Sequence, residues 1–331
     1  MLWRVRFVVP VALVVALIAG VEIFLIYDFL EPDQAPPRPV AVHELIRTTL
    51  ATLTLVGAVL AGVYAYRKQR ISEGDAHRAD ADQLAGRYTT AAEQLGHERA
   101  AVRLAGVYGL AHLADDWEDQ RQVCIDVLCA YLRMPYQPEP PAEGPKAGER
   151  EVRWTIISVI RDHLQQPDGP RSWCACSFDF TGATFDGGDL SGSHFENMAV
   201  FRRATFSGGR VDFRDATFNG SSAEIRSAEI RSVDFRRATF SGGTADFRRA
   251  TFSGGTADFR GATFSGGTAD FRGATFSSGK VNFKDATFSG GALDFKDAGF
   301  TDVDVEFDRA TFNDTVVIDW GALTPPPGAR T

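Results

Sequence analysis

The sequence lacks the motifs on which the common enzyme classes depend. It contains no glycine-rich phosphate loop, no Gly-x-Ser-x-Gly elbow and no His-Glu-x-x-His zinc motif. Its six histidines form no set with aspartate and serine at a useful spacing. We therefore predict a protein that is not an enzyme and that has no catalytic residues and no cofactor.

Cysteine is also scarce. The four cysteines are Cys124, Cys129, Cys174 and Cys176, and neither a CxxC pair nor a histidine-rich run completes a set of zinc ligands. We predict buried free thiols and no metal site.

Charge of either sign is not in large excess. The formal net charge is −8, which argues against a dedicated nucleic-acid binder, so nucleic acid is an unlikely partner. Lysine is rare among the 35 basic residues, a bias that fits a GC-rich bacterial genome.

Long apolar runs are confined to the N-terminal part of the chain. Residues 7–27 and 45–66 are each long enough to cross a bilayer, so residues 1–70 are predicted to form a two-helix transmembrane hairpin. A cleaved signal peptide is the alternative for the first run, but its apolar core is too long and no cleavage site follows. Basic residues precede the first run and follow the second, which predicts that both termini lie in the cytoplasm. The chain is therefore predicted to be a multi-pass protein of a bacterial plasma membrane. Its first predicted partner is the lipid bilayer.

Each predicted span carries one ionisable residue near its outer end, Glu22 in the first and Arg47 in the second. Because an isolated charge in lipid is costly, we predict that the two pair across the hairpin. The alternative is that each side chain reaches the interface alone.

Residues 71–170 show helical periodicity and are predicted to form a small cytoplasmic all-α segment. The predicted helices cover residues 73–95, 98–113, 120–132 and 152–164. A Pro-rich linker occupies residues 135–149. Tyr131, Arg133 and Tyr136 form a candidate exposed patch of aromatic and basic side chains beside it.

The strongest signal is a 12-residue internal repeat in the second half of the chain. The chain reads ADFRRATFSGGT, ADFRGATFSGGT, ADFRGATFSSGK and VNFKDATFSGGA in succession. Phenylalanine recurs at alternating spacings of five and seven, with a small or β-branched residue two positions before it. The predicted core of this region contains Phe247, Phe252, Phe259, Phe264, Phe271 and Phe276.

This pattern resembles the pentapeptide-repeat family, whose unit has a large apolar residue at its centre and a small one two positions before. The resemblance implies a right-handed quadrilateral β-solenoid (a pentapeptide-repeat β-helix) over residues 178–318, followed by a tail at 319–331. The order of the parts also resembles membrane-anchored pentapeptide-repeat proteins of actinobacteria. That second resemblance rests on AAVRLAGVYGLAHLADD and RQVCIDVLCAYLRMPY.

The length of one coil follows from the repeat. A coil must hold a whole number of 12-residue units, and a 12-residue coil would have only two faces, with a single residue to reverse the strand at one corner. Because one residue turns a corner of about 90° but does not reverse a strand, we predict a 24-residue coil with four faces and about six coils. A two-faced 12-residue coil is the alternative.

The residues between the apolar positions are predicted to point outward. Two faces should then carry exposed ladders of opposite charge, and the other two should carry Thr and Ser. The candidate contact residues for a partner are Asp246, Arg248, Asp258, Arg260, Asp270 and Arg272.

The predicted function is that of a non-catalytic, membrane-anchored scaffold whose rigid solenoid binds an unidentified cytoplasmic protein or a second copy of the chain. The first alternative is a DNA-mimicking inhibitor or protector of gyrase, a role that the resemblance implies for some members. Residues 178–319 have a net charge of −5, but residues 198–296 have a net charge of +5, so no continuous acidic surface is expected. The second alternative is an enzyme of unrecognised type.

Overall fold

The computed structural model describes residues 20, 21, 24, 39–137, 148–220, 222–313 and 315–324. The chain divides into two compact units, residues 1–83 and residues 84–331. Most of the first predicted span, including Glu22, lies outside the described residues, and Arg47 is exposed on a helix. The pairing of Glu22 with Arg47 therefore stays a prediction.

The helices of the described residues begin and end close to the predicted bounds, except at the start. The predicted second span and the helix predicted at 73–95 lie in one continuous helix. The helices are α1 (Pro39–Leu95), α2 (Ala100–Asp116), α3 (Arg121–Arg133) and α4 (Glu149–Leu164), with a 3₁₀ turn at Glu118–Gln120 between α2 and α3. Within the part of the chain that the structure describes, no helix has both the length and the apolarity needed to cross a membrane.

Helices α2, α3 and α4 pack on one another through apolar side chains. Val107, Leu110, Ile125, Leu128 and Ile156 are each fully buried. Burial of such side chains is the main force that holds short helices together.

One glycine sets how closely two helices approach. A Cβ atom on Gly106 of α2 would lie 2.5 Å from the backbone nitrogen of Leu95, at the end of α1. Only glycine therefore allows these two backbones to lie so close together.

The rest of the described chain forms short strands. The first twelve are β1 (Phe178–Asp179), β2 (Thr184–Phe185), β3 (Gly188–Asp189), β4 (His194–Phe195), β5 (Ala199–Val200), β6 (Thr205–Phe206), β7 (Val211–Asp212), β8 (Thr217–Phe218), β9 (Ser222–Glu224), β10 (Glu229–Ile230), β11 (Val233–Asp234) and β12 (Thr239–Ser241). The others are β13 (Thr244–Asp246), β14 (Thr251–Ser253), β15 (Thr256–Asp258), β16 (Thr263–Ser265), β17 (Thr268–Asp270), β18 (Thr275–Asn282), β19 (Thr287–Ser289), β20 (Ala292–Asp294), β21 (Gly299–Glu306), β22 (Thr311–Phe312) and β23 (Val317–Asp319).

These strands build a right-handed β-solenoid of about six turns with four faces. Face 1 contains β1, β5, β9, β13, β17, β20 and β23, and face 4 contains β4, β8, β12, β16, β19 and β22. Face 2 contains β2, β6, β10 and β14, and face 3 contains β3, β7, β11 and β15. Strands β18 and β21 run through a corner and belong to both face 2 and face 3. All pairs are parallel, as they must be when successive coils stack.

The register fixes the coil length. Thr239 lies beside Thr263, and Thr263 lies beside Thr287, so the coil has a 24-residue period. Early coils are slightly shorter, since Thr184 pairs with Thr205. The predicted 24-residue coil with four faces is confirmed, and the 12-residue alternative is wrong.

The core consists of stacked phenylalanine rings. Phe271 lies 4.7 Å from Phe247 and 4.9 Å from Phe295, with nearly parallel ring planes. The six phenylalanines predicted for the core are all buried. Two positions before most of these rings stands a buried alanine, such as Ala245 or Ala250, and at others a buried valine or leucine, such as Val281 or Leu293.

Two kinds of corner connect the faces. At the tight corners a β-turn follows the ring, as where the Ala250 backbone N–H donates to the Phe247 carbonyl at 3.0 Å. The third residue of that turn, Arg249, has a φ of 55°, which resembles a type II turn. At the other corners Ser-Gly-Gly loops stack so closely that a Cβ atom on Gly267 would lie 1.6 Å from the Gly243 carbonyl oxygen.

Candidate interaction surfaces

The predicted contact residues lie at the tight corners, which form two straight ridges on opposite sides of the solenoid. In its central coils, we define ridge 1 as residues 200–203, 224–227, 246–249 and 270–273. Ridge 2 comprises residues 212–215, 234–237, 258–261 and 282–285. Arg248 and Arg272 belong to ridge 1, and Arg260 belongs to ridge 2.

The prediction that the contact aspartates Asp246, Asp258 and Asp270 are exposed is wrong. Asp246, Asp258 and Asp270 are only 3–4% exposed. The reason is local, because each carboxylate accepts a hydrogen bond from the backbone N–H two residues later, as Asp246 does from Arg248 at 3.1 Å. This Asx turn holds the short side chain against the corner. The same bond is made by Asp179, Asp189, Asp212, Asp234, Asp258, Asp270, Asn282, Asp294 and Asp319.

The arginines cover the buried carboxylates and link successive coils. The Arg248 guanidinium lies 2.7 Å from Asp246 and 3.5 Å from Asp270 of the next coil. Arg272 makes the same two contacts, with Asp270 and Asp294. From Asp246 to Asp294, ridge 1 is therefore a ladder of ion pairs, in which arginine is the outer layer and aspartate the inner one.

Hydrogen bonding keeps Asp246 of the inner layer charged. Burial by itself would raise the pKa of Asp246, but hydrogen bonds from the side chain and the backbone of Arg248 outweigh it, so this pKa lies below its usual 3.8. The hydrogen bond to Asp246 raises the pKa of Arg248 above its usual value. The pair is therefore ionised throughout the physiological pH range.

Acid should weaken the solenoid through these carboxylates. Asp179, Asp215 and Asp246 each have a lower pKa in the folded chain than in the unfolded chain. Their contribution to stability is therefore complete at pH values above the unfolded-state pKa. It is lost as the pH falls through the folded-state pKa. We expect the midpoint temperature of thermal unfolding to be constant near neutral pH and to decrease at pH values below about 4. Circular dichroism melts across this range would measure it.

The variant Asp246→Asn tests the contribution of one carboxylate. Asparagine still accepts the backbone N–H, as Asn282 does from Lys284 at 2.8 Å, so the corner should fold. We expect a smaller loss of stability between neutral and acid pH than in the unchanged chain. An equal loss in both proteins would show that Asp246 takes no part in the acid response.

The two ridges differ in charge. Within these four coils ridge 1 has six cationic and three anionic side chains, a net charge of +3, whereas ridge 2 has five of each and is neutral. The next corner on the side of ridge 1, residues 294–297, has one cationic and two anionic side chains. The charged residues of ridge 1 are Arg202, Arg203, Arg226, Arg248, Arg249 and Arg272 against Glu224, Asp246 and Asp270. Those of ridge 2 are Arg214, Arg236, Arg237, Arg260 and Lys284 against Asp212, Asp215, Asp234, Asp258 and Asp285. The near-identical repeats therefore do not produce equivalent surfaces.

Faces 2 and 4 carry hydroxyl side chains, as predicted. Thr251 and Ser253 on face 2, and Thr263 and Ser265 on face 4, are half-buried and flank an inward phenylalanine. These faces are mainly neutral.

Helices α3 and α4, with the chain around them, cover the first coil of the solenoid. Its open edge would otherwise present unpaired backbone carbonyls to a foreign strand. Side chains of the two helices, and of Gln165 just after α4, donate to these carbonyls instead: Gln122 to Ser177, Arg133 to Asp179, Arg153 to Thr184, Trp154 to Asp186 and Gln165 to Ser191. The helical segment is therefore a cap on the solenoid.

The patch formed by Tyr131, Arg133 and Tyr136 lies at this junction. The prediction that it is exposed is wrong for Tyr131, which is 6% exposed. The Tyr131 hydroxyl donates to Glu149 at 2.7 Å, and the Tyr136 hydroxyl donates to Asp186 at 3.1 Å. Arg133 forms an ion pair with Asp179 at 2.6 Å. Arg133 and Tyr136 thus bind the cap to the first coil, whereas Tyr131 links two helices of the cap, and the three are not an open contact surface.

A cleft of about 500 Å³ lies between α4 and face 3. Its lining comprises Arg150, Trp154, Ser158, Asp189, Arg210 and Asp212, with Gly187, Gly188 and Gly209. The Arg150 guanidinium lies 4.7 Å from the centre of the Trp154 ring, and Trp154 is 40% exposed. No sequence pattern predicted this cleft, which joins the end of ridge 2 at Asp212.

The thiols show no sign of reactivity. All four cysteines are free, as predicted, and three of them are buried. Burial raises the pKa of Cys124 to about 11, so the nucleophilic thiolate is scarce at neutral pH. Among the described residues, no three His, Cys, Asp or Glu side chains lie together in a way that could hold a metal ion.

Comparison with known proteins supports the repeat. The family model described as pentapeptide repeats (9 copies) matches residues 180–223 and 225–275. The resemblance of the solenoid to that family is thus confirmed over these residues. No curated protein and no solved structure matches the chain.

Proposed function

We propose that this chain is a non-catalytic scaffold whose capped solenoid presents a fixed surface to a protein partner. Solenoids built from pentapeptide repeats are generally structural or interaction proteins and not enzymes. The stacked aromatic core and the ion-pair ladders hold the surface side chains in a regular array. A preorganised surface of this kind loses little conformational entropy on binding.

The cleft beside α4 is the observation that carries this proposal. It combines a half-exposed tryptophan with the arginines Arg150 and Arg210, the residue types that dominate protein interfaces. Ridge 2 extends from the cleft and is electrically neutral, so it imposes no strong repulsion on a partner. The predicted contact residue Arg260 lies on this ridge, and its outer position makes it available, whereas Asp258 beneath it is not.

The same proposal includes an N-terminal membrane anchor that holds the solenoid on the cytoplasmic side. It also includes the likeness of the chain to membrane-anchored actinobacterial proteins. Its support is the apolar composition of residues 7–27 and 45–66. In addition, the α1 side chains of Leu55, Val59 and Tyr64 are exposed. A bilayer would bury such side chains. Extraction of cell membranes with alkaline carbonate would test this part, since release of the chain into the supernatant would contradict it.

The double variant Trp154→Ala/Arg210→Ala tests the cleft. We expect the partner captured by the full chain to bind about 30-fold more weakly, the effect of losing about 2 kcal/mol at an interface centre. The measurement is quantitative capture from detergent-solubilised membranes, followed by titration of the identified protein. The control is Arg87→Ala, which removes an exposed pair with Asp116 that belongs neither to the cleft nor to ridge 2. Equal affinity of both variants would contradict the cleft as the binding site.

The gyrase-directed alternative finds less support in this geometry. A mimic of DNA needs exposed carboxylates in rows, but the aspartates of both ridges mostly lie beneath arginines. Inhibition of gyrase supercoiling by the full chain would revive that alternative.

A further inference from the structure

We infer that ridge 1 is a docking surface for the anionic headgroups of a lipid bilayer. The inference rests on the proposed membrane anchor and assigns the anchored solenoid a preferred side. It starts from the charge difference between the ridges, which no periodic feature of the repeat explains.

The outermost layer of ridge 1 is cationic. Asp246 and Asp270 are buried beneath Arg248 and Arg272, so a flat surface that approaches the ridge meets guanidinium groups first. Arg203 and Arg249 are exposed, and neither has an ion-pair partner among the residues that the structure describes. On ridge 2 the equivalent arginine, Arg237, pairs with Asp215 at 2.6 Å.

The shape and chemistry of ridge 1 favour lipid over protein or nucleic acid. Its apolar side chains, such as Phe201 and Ile225, are buried in the solenoid, so a protein interface there would lack the apolar centre that gives affinity. It has no exposed aromatic ring on which a base could stack. A straight, convex row of arginines about 14 Å long, from four coils at the spacing of stacked strands, can instead lie along a plane of headgroups.

The expected strength suits an anchored protein. Each basic residue near an anionic leaflet strengthens binding by about fivefold, so a net charge of +3 gives roughly 100-fold. That is sufficient to orient a protein that is already tethered to the membrane. With ridge 1 on the membrane, the opposite ridge 2 and its cleft would face the cytoplasm.

Two glycines provide a matched pair of label sites. Gly273 of ridge 1 and Gly261 of ridge 2 have φ values of 63° and 65°, and each would place a Cβ atom beside an arginine Cγ of the previous coil. Arginine and aspartate adopt the same positive φ at the equivalent corners, including Arg249 and Asp285. Gly273→Cys and Gly261→Cys should therefore fold alike, in a Cys176→Ser background in which the remaining cysteines are buried.

The experiment places the full chain, labelled with a fluorophore at one site, in nanodiscs whose lipids carry nitroxide headgroups. The lipids are phosphatidylcholine alone or a mixture with phosphatidylglycerol. We expect quenching of the label at residue 273 only in the anionic discs, its loss at high salt, and little quenching at residue 261. The variant Arg203→Glu/Arg249→Glu changes the ridge from +3 to −1 and should abolish the quenching. Its neutral form, Arg203→Gln/Arg249→Gln, should reduce it.

The outcomes separate this inference from the anchor. Insertion into neutral discs without quenching at residue 273 in anionic discs would overturn the inference and leave the anchor standing. Association with anionic discs alone, lost in the Arg203→Glu/Arg249→Glu variant, would support the ridge and overturn the anchor. Equal quenching at both labels, or quenching that survives charge reversal, would overturn the inference. Capture of duplex DNA by ridge 1 in place of anionic discs would do the same.

Discussion

Phe271→Ala is expected to lower the free energy of unfolding by about 3–5 kcal/mol, the range for removal of a buried phenylalanine. The ring is fully buried in the middle of its column and stacks on Phe247 and Phe295. It also meets Phe259 and Phe283 edge to face, at 6.2 and 5.8 Å. Because backbone hydrogen bonds fix the spacing of the coils, the cavity cannot close. Urea unfolding followed by circular dichroism would measure the loss.

The same substitution at the end of a column provides the control. Phe312 lies in the last coil, is only partly buried and stacks on Phe288 alone within its column, so Phe312→Ala should cost clearly less. In a solenoid each coil contacts only its neighbours, and an end coil can unfold without the rest. Equal losses for the two variants would mean that the column does not act as a continuous core.

Gly267→Ala is expected to destabilise the solenoid by about 3 kcal/mol or more, as overpacking does where neighbouring atoms cannot move. The added Cβ atom would lie 1.6 Å from the carbonyl oxygen and 2.7 Å from the carbonyl carbon of Gly243. Both atoms belong to the backbone of the adjacent coil. The two coils would have to separate, which breaks hydrogen bonds on the flanking faces. Differential scanning calorimetry of the full chain would show the lowered midpoint.

Gly299→Ala is the matched comparison. No heavy atom lies within 4 Å of a Cβ atom at that position. The substitution should change stability by less than about 1 kcal/mol, since it acts mainly on the unfolded chain. A large loss at Gly299 or a small one at Gly267 would contradict the close stacking of the glycine loops.

The repeat allowed the solenoid to be predicted because every residue of its pattern has one structural role. Phenylalanine at spacings of five and seven defines the corners, and alanine two positions earlier defines the inward positions between them. The number of faces followed from the impossibility of reversing a strand in one residue. No tertiary information was needed for this part, because a solenoid contact is the same local contact repeated.

The aspartates show where reasoning from alternation fails. Alternation places Asp246 outward, but its carboxylate accepts a hydrogen bond from the Arg248 backbone N–H. The sequence contained a usable signal, since Asp or Asn two positions before a turn amide is typical of an Asx turn. Burial followed because Arg248 folds back over the carboxylate.

The cap and the cleft could not be predicted because their contacts join distant segments. Arg153 is buried and donates to the carbonyls of Tyr131, Leu132 and Thr184. Nothing in the periodicity of α4 distinguishes this arginine from Arg150, which lines the cleft and belongs to no motif. Both roles depend on how the helices lie on the first coil.

The near-equivalence of faces 1 and 3 bears on how such a chain can lengthen or shorten in evolution. One 12-residue unit occupies half of a 24-residue coil, so duplication of a single unit would keep phenylalanine stacked on phenylalanine. It would, however, move every later residue of ridge 1 to ridge 2 and every later residue of ridge 2 to ridge 1. Duplication of two units would leave each residue on its own side. Homologous chains under selection for a one-sided charge should therefore gain or lose units in pairs.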